Sequence, residues 1–313
     1  MKPKNVSWGG GNQFLINLIK SLKNNNYSVN FKLSSKTDLV FFINSKSINR
    51  PGNNLTFNYG DFKKFKLKFP YVKCIQRIND TDKHRKSDYI DNNFKIINSL
   101  SDYTIFVSDW VFEYHANVWF NKNKSYKIIN NDVDRDIFFP LSERRNFNNG
   151  VYKIVTHHFS SNINKGFDDY KALDEIIFTK KIKNVELHII GNVPKNIEWK
   201  SAKLHGLMYG NKLANFLRQC HIYISGSRYE ASAMHWKEGV ACGLPLLYSI
   251  NGGEIADYGA KYGLAFDGKN DMLSALNIII KDYENYKKIL YENQFQFKMI
   301  SEYLKVIKHL IDE

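Results

Sequence analysis

Apolar residues in this chain switch repeatedly between two spacings, and the switching outlines its elements. Near the start Phe14, Leu15, Leu18, Ile19 and Leu22 recur at helical spacing, and Asn24, Asn25 and Asn26 supply a stop. Residues 27–33 then alternate apolar and polar, the period of a half-buried strand. Short apolar runs at 39–43, 73–78 and 102–108 predict buried strands, and residues 110–119 a helix. Residues 63–69 set lysines among Phe65, Leu67 and Phe69, which reads as a solvated edge strand; a membrane-facing patch or a nucleic-acid surface stays open. Residues 141–150 are polar and unpatterned, as in a linker. Further strands are expected at 152–155, 185–190 and 244–249, a helix at 211–219, and an apolar run ending in Ser225 and Gly226. From Met272 onward the pattern is helical, through Leu273, Leu276 and Ile278 and later Met299, Tyr303, Ile307 and Leu310. Strands alternating with helices predict an α/β protein with parallel sheets, and no solenoid repeat is present.

The 313 residues suffice for two ordinary domains, and 43% hydrophobic content suffices for their cores. A net charge of +14 favours anionic partners: nucleotide donors, anionic membrane surfaces or nucleic acid. The basic residues are dispersed without a recognised nucleic-acid motif, so nucleic acid is disfavoured. Cys74, Cys220 and Cys242 are too few and too scattered for a disulfide framework or a zinc site. The first residues lack an apolar leader core, and no run reaches the roughly 18 apolar residues of a membrane span. A reducing, cytoplasmic setting is expected, with peripheral membrane contact left open.

The most informative segment carries Glu230 and Glu238 with seven residues between them, astride the start of a short helix that Gly243 stops. An apolar run precedes it; a strand and then Gly252 and Gly253 follow. Open α/β sheets bind nucleotides beyond the carboxyl ends of their strands, and a helix N-terminus offers N–H groups to phosphate. One carboxylate in the loop and one early in the helix can accept hydrogen bonds from hydroxyls on either side of that phosphate. The shape suggests a sugar nucleotide. Metal readings are weaker. Asp80-x-Asp82 precedes a basic stretch, Asp132-x-Asp134 is a chance match, and His157 with His158 lacks further ligands at suitable spacing.

This segment resembles the Glu-x7-Glu motif of the GT-B glycosyltransferases, in particular glycosyltransferase family 4. The resemblance implies two Rossmann-like, doubly wound α/β domains facing a cleft, with a C-terminal helix returning to the first. It divides the chain into an acceptor-side domain at 1–142 (its first strand missing, since few residues precede Trp8), a nucleotide-sugar domain at 150–285, and a C-terminal helix at 286–313. Glu230 would hold the donor sugar and Glu238 the ribose, with Ala233 and Met234 between them at the ligand. Lys165, in a Lys-Gly pair, would neutralise the diphosphate. The family's arginine is replaced by Ser160, and His157 or His158 would supply the lost charge. Gly9, Gly10, Gly11 and Asn12 resemble the family's Gly-rich loop over the phosphates; Gly191, Asn192, Gly252 and Gly253 would line the nucleotide. Arg77, Asn79, Asp82 and Ser108 would lie on the acceptor or leaving-group side.

The implied activity is transfer of a sugar from a nucleoside-diphosphate sugar to an acceptor hydroxyl, with retention, without a metal or other cofactor, in surface glycan or glycoconjugate synthesis. Lys165 and Glu230 would be the catalytic pair, and a carbohydrate or glycoconjugate the acceptor. Two rivals remain: a basic nucleic-acid-binding protein or base-modifying sugar transferase, and a non-transferase sugar-nucleotide binder or epimerase.

Overall fold

The computed structural model describes residues 2–3, 9–48, 56–141, 150–292 and 298–312. Trp8 and most of the linker expected at 141–150 lie outside them. The chain forms two compact units, Met1–Asn131 with Lys298–Glu313, and Asp132–Phe297.

The first unit runs α1 (Gly9–Asn24), β1 (Leu39–Phe42), α2 (Tyr59–Lys68), β2 (Lys73–Ile78), α3 (Asp82–Arg85), α4 (Ile90–Asn98), β3 (Tyr103–Phe106), α5 (Asp109–Val118) and β4 (Tyr126–Ile128). All four strands are parallel, in the order β1-β2-β3-β4. Successive residues of a strand point to opposite faces, so Ile75 joins Phe14, Leu18 and Tyr303 in one layer while Cys74 joins Phe42, Phe62 and Ile97 in the other. Among the described residues the chain enters α1 without a preceding strand.

The second unit runs β5 (Tyr152–His158), α6 (Phe167–Thr179), β6 (Val185–Gly191), β7 (Lys203–His205), α7 (Gly210–Leu217), β8 (Ile222–Ser225), α8 (Met234–Ala241), β9 (Leu246–Ser249), α9 (Glu254–Tyr258), β10 (Gly263–Phe266), α10 (Gly268–Lys281) and α11 (Tyr283–Glu292). Its parallel sheet has the order β10-β9-β8-β5-β6-β7. The central strands β8 and β9 are buried along their whole length and therefore read as short apolar runs. Ile154 and Leu247 face α6 and α10; Val155 and Leu246 face α7 and α8. The last helix, α12 (Met299–Asp312), buries Met299, Tyr303, Ile307 and Leu310 in the core of the first unit.

Two elements differ from the sequence pattern. Residues 63–68 belong to helix α2, with Phe69 as its C-cap, rather than to an edge strand. Asn58 caps it reciprocally with Asp61, satisfying two orphan N–H groups, and Phe62, Phe65 and Phe69 then fall on one helical face. Residues 27–33 do show alternate half-burial, but no strand of the sheet pairs with them, so they form no strand.

Candidate functional site

The sheet of the second unit changes direction at β5, which pairs with β6 on one side and β8 on the other. Such a reversal leaves a crevice beyond the carboxyl ends of the strands. His157 and His158 end β5, and Ser225 ends β8. The chain is threaded tightly there. Gly166 heads α6 at φ +83°, and a Cβ on it would lie 2.2 Å from the backbone of Gly226. Gly191 adopts φ +107°, and a Cβ on it would lie 1.9 Å from the His158 carbonyl oxygen.

Glu230 reaches this crevice through a constrained loop. Tyr229 adopts φ +57°, a conformation that non-glycine residues enter at a cost. The loop is laced to the turn after β9: Tyr229 N–H donates to the Asn251 carbonyl, Glu230 N–H to that of Gly252, and Glu254 N–H to that of Glu230. Gly253 allows this approach, since its Cβ would fall 2.5 Å from the Glu230 carbonyl oxygen. The buried Glu230 carboxylate accepts from Lys165 Nζ at 2.5 Å and lies 3.8 Å from the His235 ring. Glu238, one turn into α8, accepts from His157 Nε2 at 2.7 Å. The N-cap of α8 is Ala233, which provides no side-chain acceptor for the helix's first N–H groups.

The histidines divide by environment. His158 lies in the sheet, with Nε2 facing Tyr170 Oη (2.8 Å) and Thr156 Oγ1 (3.1 Å) and Nδ1 without a partner. Burial pushes its titration well below the ordinary histidine range, helped by His235 and Lys165 nearby. Burial thus disfavours a charge on this ring, one of the two expected to stand in for the cation missing at Ser160. Burial likewise lowers His235 to about 4, against the opposing pull of Glu230. Ser160 itself accepts from Asn162 N–H in a local turn, and Asn192 donates to the Phe159 carbonyl at 2.6 Å. Lys165 is thus the cation that meets Glu230.

A second set of residues escaped the sequence reading. Lys237 and Glu254 form a buried ion pair at 2.5 Å, and Trp236 Nε1 and Ser232 Oγ also donate to Glu254. Burial raises the Glu254 carboxyl, and Lys237 pulls it back. Arg228 grips Asp168 with Nη1 and Asp169 with Nη2, tying the Glu230 loop to the start of α6. Burial lifts Asp169 to about 6 despite Arg228. A lysine on the apolar side of a short helix was the available signal, since such a charge requires a buried partner.

In the first unit the candidates hold structure. Gly9, Gly10 and Gly11 form the first turn of α1 rather than a loop, because first-turn N–H groups need no intrahelical acceptor. Asn12 is buried behind them. Arg77 is buried over the Phe14 ring, donating to Tyr303 Oη at 3.1 Å and Asn131 Oδ1 at 2.9 Å. Asp82 accepts from Ser87 Oγ and from the Ile90 and Asp91 N–H groups, which start α4. Ser108 caps α5. Asn79 Oδ1 is buried without a partner. Asp80 takes donors from His84 and Arg85; burial would raise it, but these contacts hold it below the usual carboxylate range. The Asp80-x-Asp82 pair therefore serves local structure, Asp80 by pairing with His84 and Arg85 and Asp82 by accepting the first N–H groups of α4. Among the described residues no group of three or more His, Cys, Asp or Glu side chains is arranged to hold a metal ion, and no helix is long and apolar enough to cross a membrane.

No family model and no curated protein matches the chain by sequence. Solved structures match by shape. Sucrose-phosphate synthase from Thermosynechococcus elongatus superposes with a TM-score of 0.69 at 14% identity, covering 97% of this chain and 94% of that one. WaaG, a glycosyltransferase involved in lipopolysaccharide biosynthesis, gives 0.64 at 10% identity and covers 98% of both chains. HepE of Anabaena in complex with UDP-glucose gives 0.58 at 14% identity, over 81% of this chain and 71% of its own. These likenesses establish the fold as GT-B, with two Rossmann-like α/β units.

Proposed function

We propose that this chain is a glycosyltransferase that moves a sugar from a nucleoside-diphosphate sugar to an acceptor hydroxyl. The observation that carries the reading is convergence: Glu230 and Glu238 stand at the reversal of the sheet, one against Lys165 and the other against His157. In this reading Glu238 takes the ribose hydroxyls and Glu230 the sugar hydroxyls. Lys165 leaves Glu230 for the diphosphate, whose growing charge in the transition state needs a preorganised cation. The uncapped start of α8 adds N–H groups. Arg228 and the Lys237–Glu254 pair hold the loop that carries Glu230, so its geometry is set before the donor arrives.

Retention of anomeric configuration, membership of glycosyltransferase family 4, independence of metal, a carbohydrate or glycoconjugate acceptor and a role in surface glycan synthesis complete the proposal. HepE and the pneumococcal transferase GtfA were solved with UDP or a UDP-sugar, which supports uridine as the first base to try. The test is a thermal-shift screen over UDP-, GDP-, ADP- and dTDP-sugars, because a ligand of the folded state raises the melting temperature by mass action. The donor that shifts it is then followed, isotopically labelled, into product. Lys165→Ala should cut turnover by about 10²-fold, a loss of about 3 kcal/mol of transition-state stabilisation. A labelled product that is an epimer of the donor, or no turnover from a tightly bound donor, would replace transfer by the non-transferase alternative.

A further inference from the structure

We propose that His157 is a positioning residue that aims the Glu238 carboxylate at the ribose of the nucleotide; the inference rests on the role given to Glu238 above. A carboxylate only accepts hydrogen bonds, so the 2.7 Å contact places a hydrogen on His157 Nε2. In the neutral ring Nδ1 is then an acceptor, and the Tyr223 hydroxyl donates to it at 3.0 Å. The Tyr223 oxygen accepts in turn from the His157 backbone N–H (3.1 Å) and from His235 Nδ1 (3.1 Å). His235 Nε2 is left to accept from the Ser227 hydroxyl at 3.3 Å. One orientation of every hydrogen satisfies the whole row from Ser227 to Glu238.

The backbone is arranged to admit this row. Tyr223 lies on β8 and His157 on the adjacent β5, and the Tyr223 ring passes beneath α8 where Gly239 leaves room. A Cβ on Gly239 would sit 2.2 Å from that ring. The residue after Glu238 is thus the one that lets Tyr223 reach His157. A histidine that merely filled space would need neither the hydroxyl nor the carboxylate at these distances. A metal-ligating histidine commonly has its tautomer set by a group behind it; here the same device serves a carboxylate that must bind hydroxyls.

The experiment is calorimetric titration with UDP, GDP and ADP, and with the 2′,3′-dideoxy counterpart of whichever binds the unmutated chain most tightly. The dideoxy compound lacks the hydroxyls Glu238 would hold. Glu238→Gln should abolish the preference for the ribonucleotide. His157→Leu should weaken the ribonucleotide about tenfold while leaving the dideoxy compound essentially unchanged. His157→Gln, whose side-chain amide can donate as Nε2 does, should restore most of the loss. Tyr223→Phe should lose part of it, and serves if the His157 variants fail to fold. Abolition by Glu238→Gln with no effect of His157→Leu would overturn the positioning role and leave the ribose role standing. Equal weakening of both compounds by His157→Leu, with Tyr223→Phe silent, would reduce His157 to a structural residue. Binding of none of the three nucleotides, or a preference that survives Glu238→Gln, would overturn the role of Glu238 and this proposal with it.

Discussion

Glu230 and Glu238 show how little a residue's identity says about its state. Both stand in one motif, yet Glu230 is buried against a lysine and Glu238 is more open against an imidazole. The neighbouring histidines have a consequence for stability. His235 titrates at about 4 and His158 well below its ordinary range, both chiefly because burial disfavours the charged ring. A base whose folded value lies below its unfolded one takes up a proton on unfolding. Its contribution is complete above about pH 6.5 and is lost as the pH falls toward the folded value. Between pH 7 and pH 5 His235 should therefore remove about 2 kcal/mol of stability, and His158 should add a loss of the same sign. Urea unfolding at the two pH values measures the loss, and His235→Gln should shrink it. An undiminished loss in that variant would show that His235 is not its source.

Among elements, α8 and α9 are the pair that shapes the site. Neither has a side-chain N-cap, and α9 has only five residues, so local propensity alone does not hold them. The Lys237–Glu254 pair joins them, with Trp236 and Ser232 adding donors. Removing one partner of a buried ion pair strands the other charge. Lys237→Met should cost about 3–5 kcal/mol in chemical denaturation, and Lys237→Met with Glu254→Leu should recover most of that. A double variant no more stable than the single one would mean that the carboxylate is held chiefly by Trp236 and Ser232. Helix α2 teaches a related lesson. Lysines alternating with apolar residues resemble a strand, but the capping pair Asn58 and Asp61 decides for helix.

Over the whole molecule the net charge of +14 falls almost wholly on the first unit, which has 24 Lys and Arg against 12 Asp and Glu, while the second, with 21 against 19, is close to neutral and sets Lys165 as the cation beside Glu230. The counter-charge to a diphosphate is therefore expected from Lys165 and helix N–H groups. The carboxylates of Asp80 and Asp82, the sequence's nearest approach to a metal pair, are already engaged by His84, Arg85, Ser87 and the start of α4. Turnover should accordingly be the same with and without EDTA. A loss restored by manganese or magnesium would bring a divalent cation into the mechanism.

The sequence alone determined the alternation of strands and helices, because burial on both faces of a parallel sheet demands apolar runs whatever the neighbours are. It also marked the turn that carries Glu230, Glu238, Gly252 and Gly253, since a helix start, a left-handed glycine and spaced carboxylates are local features. What lay beyond it was everything made by contact between distant strands. That Arg77 is a buried clamp depends on Phe14 and Tyr303 packing around it. That a charge on His158 is disfavoured depends on its burial between the neighbouring strands and α6. The row from Ser227 through His235, Tyr223 and His157 to Glu238 exists only because β5 lies beside β8. Hydrophobic pattern records which side of an element is buried; the partner of a buried polar group is chosen by the fold, because its cost is met only by whichever donor or acceptor packing brings within reach.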